Sequence, residues 1–126
     1  TEFLCSYPVT DQLLFQTNYT YTQNEAGEGL RIPKHKVNTS FLQQFNSNTQ
    51  LLTSIQFVGD RDDHAGQDLV ELSSYWLLDL RISCQLSQPG VSLFGSVENV
   101  FGADYEEVFG YTTRGRNLSL GVSYAF

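Results

Sequence analysis

The sequence predicts an all-β chain of about seven antiparallel strands, and three observations carry that prediction. Apolar residues recur at every second position along most of the chain, and no helical period of useful length is present. Short turns rich in Pro, Gly, Asn, Asp and Ser alternate with long polar connections. Charged residues make up 17% of the 126 positions, against roughly 25% in soluble domains. Aromatics reach 13%, and small neutral polar residues fill the remainder. Such a composition suits strands whose two faces meet different environments.

The elements follow in order. A first strand is predicted over Glu2–Tyr7. A second runs over Gln12–Thr22, with Leu13, Phe15, Thr17, Tyr19 and Tyr21 opposite Leu14, Gln16, Asn18, Thr20 and Thr22. Two weaker alternations cover Val37–Phe45 and Leu51–Val58. The clearest is Trp76–Leu86, where Trp76, Leu78, Leu80, Ile82, Cys84 and Leu86 share one face. Val91–Asn99 and Asn117–Phe126 complete the set. The short connections PVTD (8–11), NSNT (46–49) and SQPG (87–90) are predicted turns. The long segments 23–36, 59–74 and 101–115 hold ten of the fourteen acidic residues, so one end of the sheet is tight and the other is loopy and charged. If SQPG closes a hairpin, Cys84 faces Leu93, Leu80 faces Val97 and Asp79 faces Glu98, a register that a one-residue slip would destroy.

Alternation alone does not separate a soluble β-sandwich from a transmembrane barrel wall; three further features favour the barrel. Eleven residues at about 3.3 Å each, tilted by roughly 45°, span about 25 Å, the height of a barrel's lipid-facing band. On the apolar parity, Tyr7, Phe15, Phe45, Tyr124 and Phe126 fall near the short turns, and Tyr19, Tyr21, Phe57 and Trp76 near the long loops, as two girdles would. The strand charges Glu2, Asp79, Arg81 and Glu98 all carry the polar parity, as a hydrocarbon-facing surface requires. Seven strands leave two open edges, which lipid does not tolerate, so the chain is expected to belong to a larger barrel and not to close by itself. No stretch has the roughly 20 apolar residues of a transmembrane helix, and no secretory leader is evident at Thr1. A net charge of −7, with no basic stripe, speaks against nucleic acid as a partner.

More specific still is ENVFGADYEEVFGYTTRGRNLSLGVSYAF (98–126). It resembles the C-terminal end of TonB-dependent outer-membrane receptors, whose pattern runs Asn-Leu-Phe, Asp-x-Tyr, Gly-Tyr-x-x-x-Gly-Arg and a last strand ending in Phe. The matching positions are Asn99, Val100 and Phe101, then Asp104 and Tyr105, then Gly110, Tyr111, Gly115 and Arg116. Val100 replaces the leucine, and Asp104 and Tyr105 are adjacent. RIPKHKVN (31–38) is similar to the Arg-x-Pro-x-His segment that leads into a strand in the same family.

The resemblance implies an antiparallel barrel of about 22 strands in the bacterial outer membrane, with residues 1–126 as its C-terminal portion. The plug domain and the N-terminal strands would then lie outside this chain. It implies active transport of cobalamin or a ferric siderophore, energised through TonB, and no enzymatic activity or cofactor. The spacing is most like that of the vitamin B12 receptors, with the siderophore receptors close behind. Implied partners are outer-membrane lipid and lipopolysaccharide, the rest of the barrel and its plug, TonB through an N-terminal region, and the outer-membrane assembly machinery. That machinery would read Val122, Tyr124 and Phe126. Alternatives from other classes are a passive pore or structural barrel segment, and a soluble β-sandwich binding module.

Candidate site residues are few. Asp63, Tyr105 and Tyr111 are candidate ligand contacts in loops that the resemblance makes extracellular. Asp79, Arg81 and Glu98 form a candidate ion network on the polar face. His35 and His64 lack a partner at metal-ligand spacing and read as surface residues. Asp60, Asp62, Asp63 and Asp68 lack the ligand alternation of a calcium loop and read as a solvated acidic stretch, so no metal site is predicted. Cys5 and Cys84, four strands apart, are about 19 Å from each other and beyond disulfide reach.

Overall fold

The computed structural model describes residues 1–23, 29–88 and 90–125. Pro89 of the SQPG turn and the terminal Phe126 lie outside them. Among the described residues there are eleven strands: β1 (Glu2–Thr10), β2 (Leu13–Tyr21), β3 (His35–Asn46), β4 (Thr49–Val58), β5 (Arg61–Ala65), β6 (Asp68–Leu72), β7 (Tyr75–Gln85), β8 (Val91–Glu98), β9 (Glu106–Val108), β10 (Tyr111–Thr112) and β11 (Asn117–Tyr124). Seven of them build one antiparallel sheet in the order β1-β2-β3-β4-β7-β8-β11. These are the seven predicted strands, and the sheet does not close on itself.

Register follows the alternation. Cys84 pairs with Leu93 and Leu80 with Val97, and the Leu86 N–H donates to the Val91 carbonyl at 2.9 Å. The next expected pair, Asp79 with Glu98, does not continue the ladder. Asn99, with φ at 49°, turns the chain away, and its N–H donates to Asp79 Oδ1 at 2.8 Å. The first turn also differs from expectation. β1 runs through PVT to Thr10, with a bulge between Pro8 and Thr10. Pro8 lacks an N–H, and a bulge at the end of a strand tolerates that where a regular ladder position would not.

Two small hairpins stand where loops were expected. β5 and β6 pair from Arg61–Leu72 to Ala65–Asp68, closed by Gly66 at φ 70°, a value that favours glycine. β9 and β10 form a shorter one around Gly110, at φ 78°. Their residues are charged and poorly alternating, so they carry no period-2 signal; pairing comes from the turn and from neighbours.

One face of the large sheet is mostly apolar, interrupted by Thr17, Thr39, Gln43 and Thr53. Leu118, Leu120, Val122 and Tyr124 of β11 lie beside Val97, Gly95, Leu93 and Val91 of β8, and all four β11 residues are exposed, Leu120 by 81%. The other face carries Asn, Gln, Ser and Thr: Ser6 meets Gln16, Gln16 meets Ser40, and Ser40 meets Ser54. Among the described residues nothing covers the apolar face, as a sandwich core would require. The buried side chains among the described residues are Val58, Leu72, Tyr75, Arg61, Asp63 and Asn99, and all lie at the long-loop end. Cys5 and Cys84 are free thiols on β1 and β7, four strands apart.

Candidate functional site

The long loops draw together over one end of the sheet, and two buried charges on β5 hold them. Alternation sends Arg61 and Asp63 to the same side of that strand, where they are 5% and 1% exposed. Arg61 donates from Nη1 to the carbonyls of Gly59 (3.3 Å) and Ser73 (3.1 Å), and from Nη2 to that of Glu106. Its guanidinium lies 5.0 Å from the centre of the Tyr75 ring, and Tyr75 packs against Tyr105 with centroids 4.2 Å apart. Asp63 accepts at Oδ1 from Arg31 Nε (3.0 Å) and from the His64 N–H (2.9 Å), and at Oδ2 from the Phe109 N–H (2.7 Å). The Phe109 N–H leads in lowering the Asp63 carboxyl below its ordinary value; burial opposes it, and the His64 N–H and Arg31 add to the lowering. The Arg31 N–H donates to the Asp62 carbonyl at 2.7 Å, so three chain segments meet here.

The motif residues at 99–116 do related work. The Asn99 side chain clasps Ala103, its Nδ2 donating to the carbonyl and its Oδ1 accepting from the N–H, both at 2.8 Å. Arg116 Nε donates to the Val100 carbonyl at 2.8 Å, and the Thr113 hydroxyl donates to the Tyr105 carbonyl at 2.8 Å. The two halves of the motif therefore staple each other across the loop they enclose. Between this loop and the β5–β6 hairpin lies a cavity of about 250 Å³, with Glu71, Ser73, Ser74, Asp104, Tyr105 and Phe109 in its wall.

The predicted site residues fall differently. The Asp63 carboxylate is buried and both its oxygens accept from loop donors. Tyr105 is half-buried and lines the cavity, whereas Tyr111 is 72% exposed at the start of β10. Asp79, Arg81 and Glu98 line one shallow recess on the polar face of about 160 Å³, but among the described residues they form no ion pair. Asp79 accepts from the Asn99 N–H, Glu98 accepts from Asn117 Nδ2 at 3.2 Å, and Arg81 lies over the Phe94 ring at 4.9 Å. That ring crosses Gly121, where any Cβ would collide with it. Of the assembly-signal residues, Val122 and Tyr124 are exposed on the apolar face, and Phe126 lies outside the described residues. His35 and His64 are both exposed. Asp60 accepts from the Ser74 N–H at 2.7 Å, within the hairpin framework. Sequence reasoning did not single out Arg61; its one signal was Arg-x-Asp spacing beside a five-residue run ending in Gly.

Beyond the cavity, the polar face forms a broader concavity of about 430 Å³. Its wall carries a hydrogen-bonded row, with Asn18 Nδ2 donating to Glu2 at 2.6 Å and Gln56 Nε2 to Asn38 at 2.9 Å.

Comparison with known proteins places this architecture. Residues 6–100 match the family model described as TonB dependent receptor-like, beta-barrel. The iron-regulated outer membrane virulence protein of Vibrio cholerae is 26% identical over 137 aligned positions, covering 99% of this chain and 21% of that protein. The chain thus spans about a fifth of the length of the curated relatives it matches. Among solved structures, a mutant ferric enterobactin receptor of Pseudomonas aeruginosa superposes with a TM-score of 0.81 at 19% identity, covering 99% of this chain and 22% of the receptor. The closed form of the ferric-catecholate import receptor of E. coli gives 0.80 at 16%, covering 99% and 20%. The uncovered apolar face is therefore a lipid-facing wall and the polar face a lumen lining, and the chain belongs to the TonB-dependent receptor β-barrel family of the bacterial outer membrane.

Proposed function

We propose that the chain is the C-terminal portion of a larger barrel that takes up a ferric siderophore, energised through TonB. The observation that carries this reading is the cavity between the β5–β6 hairpin and the 101–115 loop, set at one mouth of a polar-lined wall. The iron-regulated curated relative supports iron over other cargo. In this reading the long loops are extracellular and the short turns periplasmic. Tyr105 and Tyr111 contact ligand, while Asp63 shapes the loops behind them. The concave polar face, with the Asp79, Arg81 and Glu98 recess, meets the plug. Lipid meets the apolar face, lipopolysaccharide meets its aromatic band near the loops, and the assembly machinery reads Val122, Tyr124 and Phe126. Cobalamin is the second reading, favoured by the spacing from Asp104 to Arg116.

The test is uptake by cells carrying the whole receptor, with ferric enterobactin and cyanocobalamin as probes. Uptake of the ferric chelate that disappears without TonB is the expected result. Uptake of cyanocobalamin alone selects the second reading, and TonB-independent entry of either probe indicates a passive pore.

A further inference from the structure

We infer that Arg61 and Asp63 are positioning residues that fix the shape of a ligand subsite, the cavity between the β5–β6 hairpin and the 101–115 loop. The inference rests on the ligand-binding reading of these loops and assigns the residues that set their geometry.

Burying charge is costly unless its hydrogen-bonding capacity is met, and here both charges are met by backbone from separate segments. On the 101–115 loop the partners are the Glu106 carbonyl and the Phe109 N–H, three residues apart. The signs match: the cation takes the carbonyl and the anion takes the N–H, so both grips are charge-assisted. Glu106 and Phe109 also line the cavity. Because it is held by main chain, Phe109 leaves its side chain available to the cavity, while the Glu106 carboxylate accepts from the Gly110 N–H at 3.4 Å. Two side chains on one strand thus set how far one wall stands from the other. Tyr75 braces the same assembly, lying under Arg61 and against Tyr105.

Arg31 is the third and weakest tether. Its φ of 64° is disfavoured for a residue with a Cβ, its side chain is 51% exposed, and it reaches Asp63 through Nε. At about 250 Å³ the cavity is smaller than the roughly 300–1,000 Å³ of whole-ligand pockets. It takes a ring-sized, neutral or hydroxylated part of a ligand against Tyr105, Phe109 and the Ser73 and Ser74 hydroxyls. Glu71, Asp104 and Glu106 disfavour an anionic group there.

The experiment uses the whole receptor with Cys5→Ala and Cys84→Ala, spin-labelled at Leu69→Cys and Glu107→Cys, both exposed positions outside the ligand contacts. Interlabel distances are measured in Asp63→Ala, Asp63→Asn, Arg61→Met and, as a control, Asp68→Asn. A narrow distribution that broadens in the Asp63 and Arg61 variants but not in Asp68→Asn is expected. If Asp63→Ala fails to assemble, Asp63→Asn carries the same expectation. Distributions as narrow as the parent in both Asp63→Asn and Arg61→Met overturn the inference, as does equal broadening in Asp68→Asn. For whichever probe the parent takes up, half-saturation rises about tenfold with the maximal rate unchanged; a lower maximal rate at unchanged half-saturation overturns the positioning role. A parent that takes up neither ferric enterobactin nor cyanocobalamin removes the transport reading, while the distances, which need no ligand, still decide this one.

Discussion

The wall and the loop cap of this molecule solve opposite problems. The seven-stranded wall buries no side chain along most of its length, and its apolar residues stand open on one face. The cap, built from short strands and polar sequence, gathers the buried side chains among the described residues, two charges among them, with Val58 and Tyr75 at the adjoining rim of the wall. A wall in lipid needs no internal core, because the hydrocarbon around it is its apolar solvent. The cap stands in water, where exposed loops keep a shape only if their polar groups find fixed partners. Hence the wall is governed by which face a residue takes, and the cap by which partner it finds.

Substitutions can break that contrast. The largest effect is expected in the wall: Leu80→Arg places a charge on the lipid face and costs about 2–4 kcal/mol near the bilayer midplane. Ser83→Arg, three positions on and facing the lumen, costs less than about 1 kcal/mol. Urea titration of the whole receptor in bilayers compares the two, and equal losses would erase the distinction between faces.

In the cap, Arg61→Met strands three carbonyls and costs about 1–3 kcal/mol locally. Hydrogen exchange is expected to accelerate across 101–115 while the central amides of β3 and β4 keep their protection. A uniform acceleration would make cap and wall one cooperative unit. Asn99→Ala removes both bonds to Ala103 and puts alanine at a positive φ, costing about 1–2 kcal/mol. Asn99→Gly keeps the backbone freedom and loses less, which thermal scans of the two variants will rank.

Acid sharpens the comparison further. The Asp63 carboxyl is lowered from its ordinary 3.8 in the folded cap, so its contribution is complete above that value and is lost as pH falls below it, through the folded pKa. Protease cleavage in the 59–74 and 101–115 segments should therefore rise below about pH 3.8 before the wall becomes sensitive; Asp63→Asn should show that sensitivity already at neutral pH. The smallest effect is expected from reduction: with Cys5 and Cys84 four strands apart, dithiothreitol leaves the melting temperature unchanged.

Much of the wall was legible because its information is local. Trp76 to Gln85 declares its faces residue by residue, and Leu80 opposite Val97 follows from the turn that joins the strands. The first turn was misplaced because Pro8 reads as a breaker, yet the bulge at the end of β1 absorbs it. The ion network of Asp79, Arg81 and Glu98 was inferred from register alone. Register brought the three to one recess, but Asn99 and the Phe94 ring claimed Asp79 and Arg81 as partners. Asp63 was noticed for its charge, but nothing in GDRDDHAGQD says which of its carboxylates turns inward.

The sequence by itself determined the seven strands of the wall, its two faces and the end at which the loops gather, because side-chain parity repeats every two residues and needs no distant partner. The family followed from the Asn99 to Arg116 motif for a similar reason: its residues staple one short loop. Only the tertiary structure decided that Arg61 and Asp63 are buried, that Arg31 reaches Asp63 across 32 positions of sequence, and that Phe109 and Glu106 are held by their backbones. Those facts depend on three segments converging in space, and a buried charge acquires its role from the partners that converge on it.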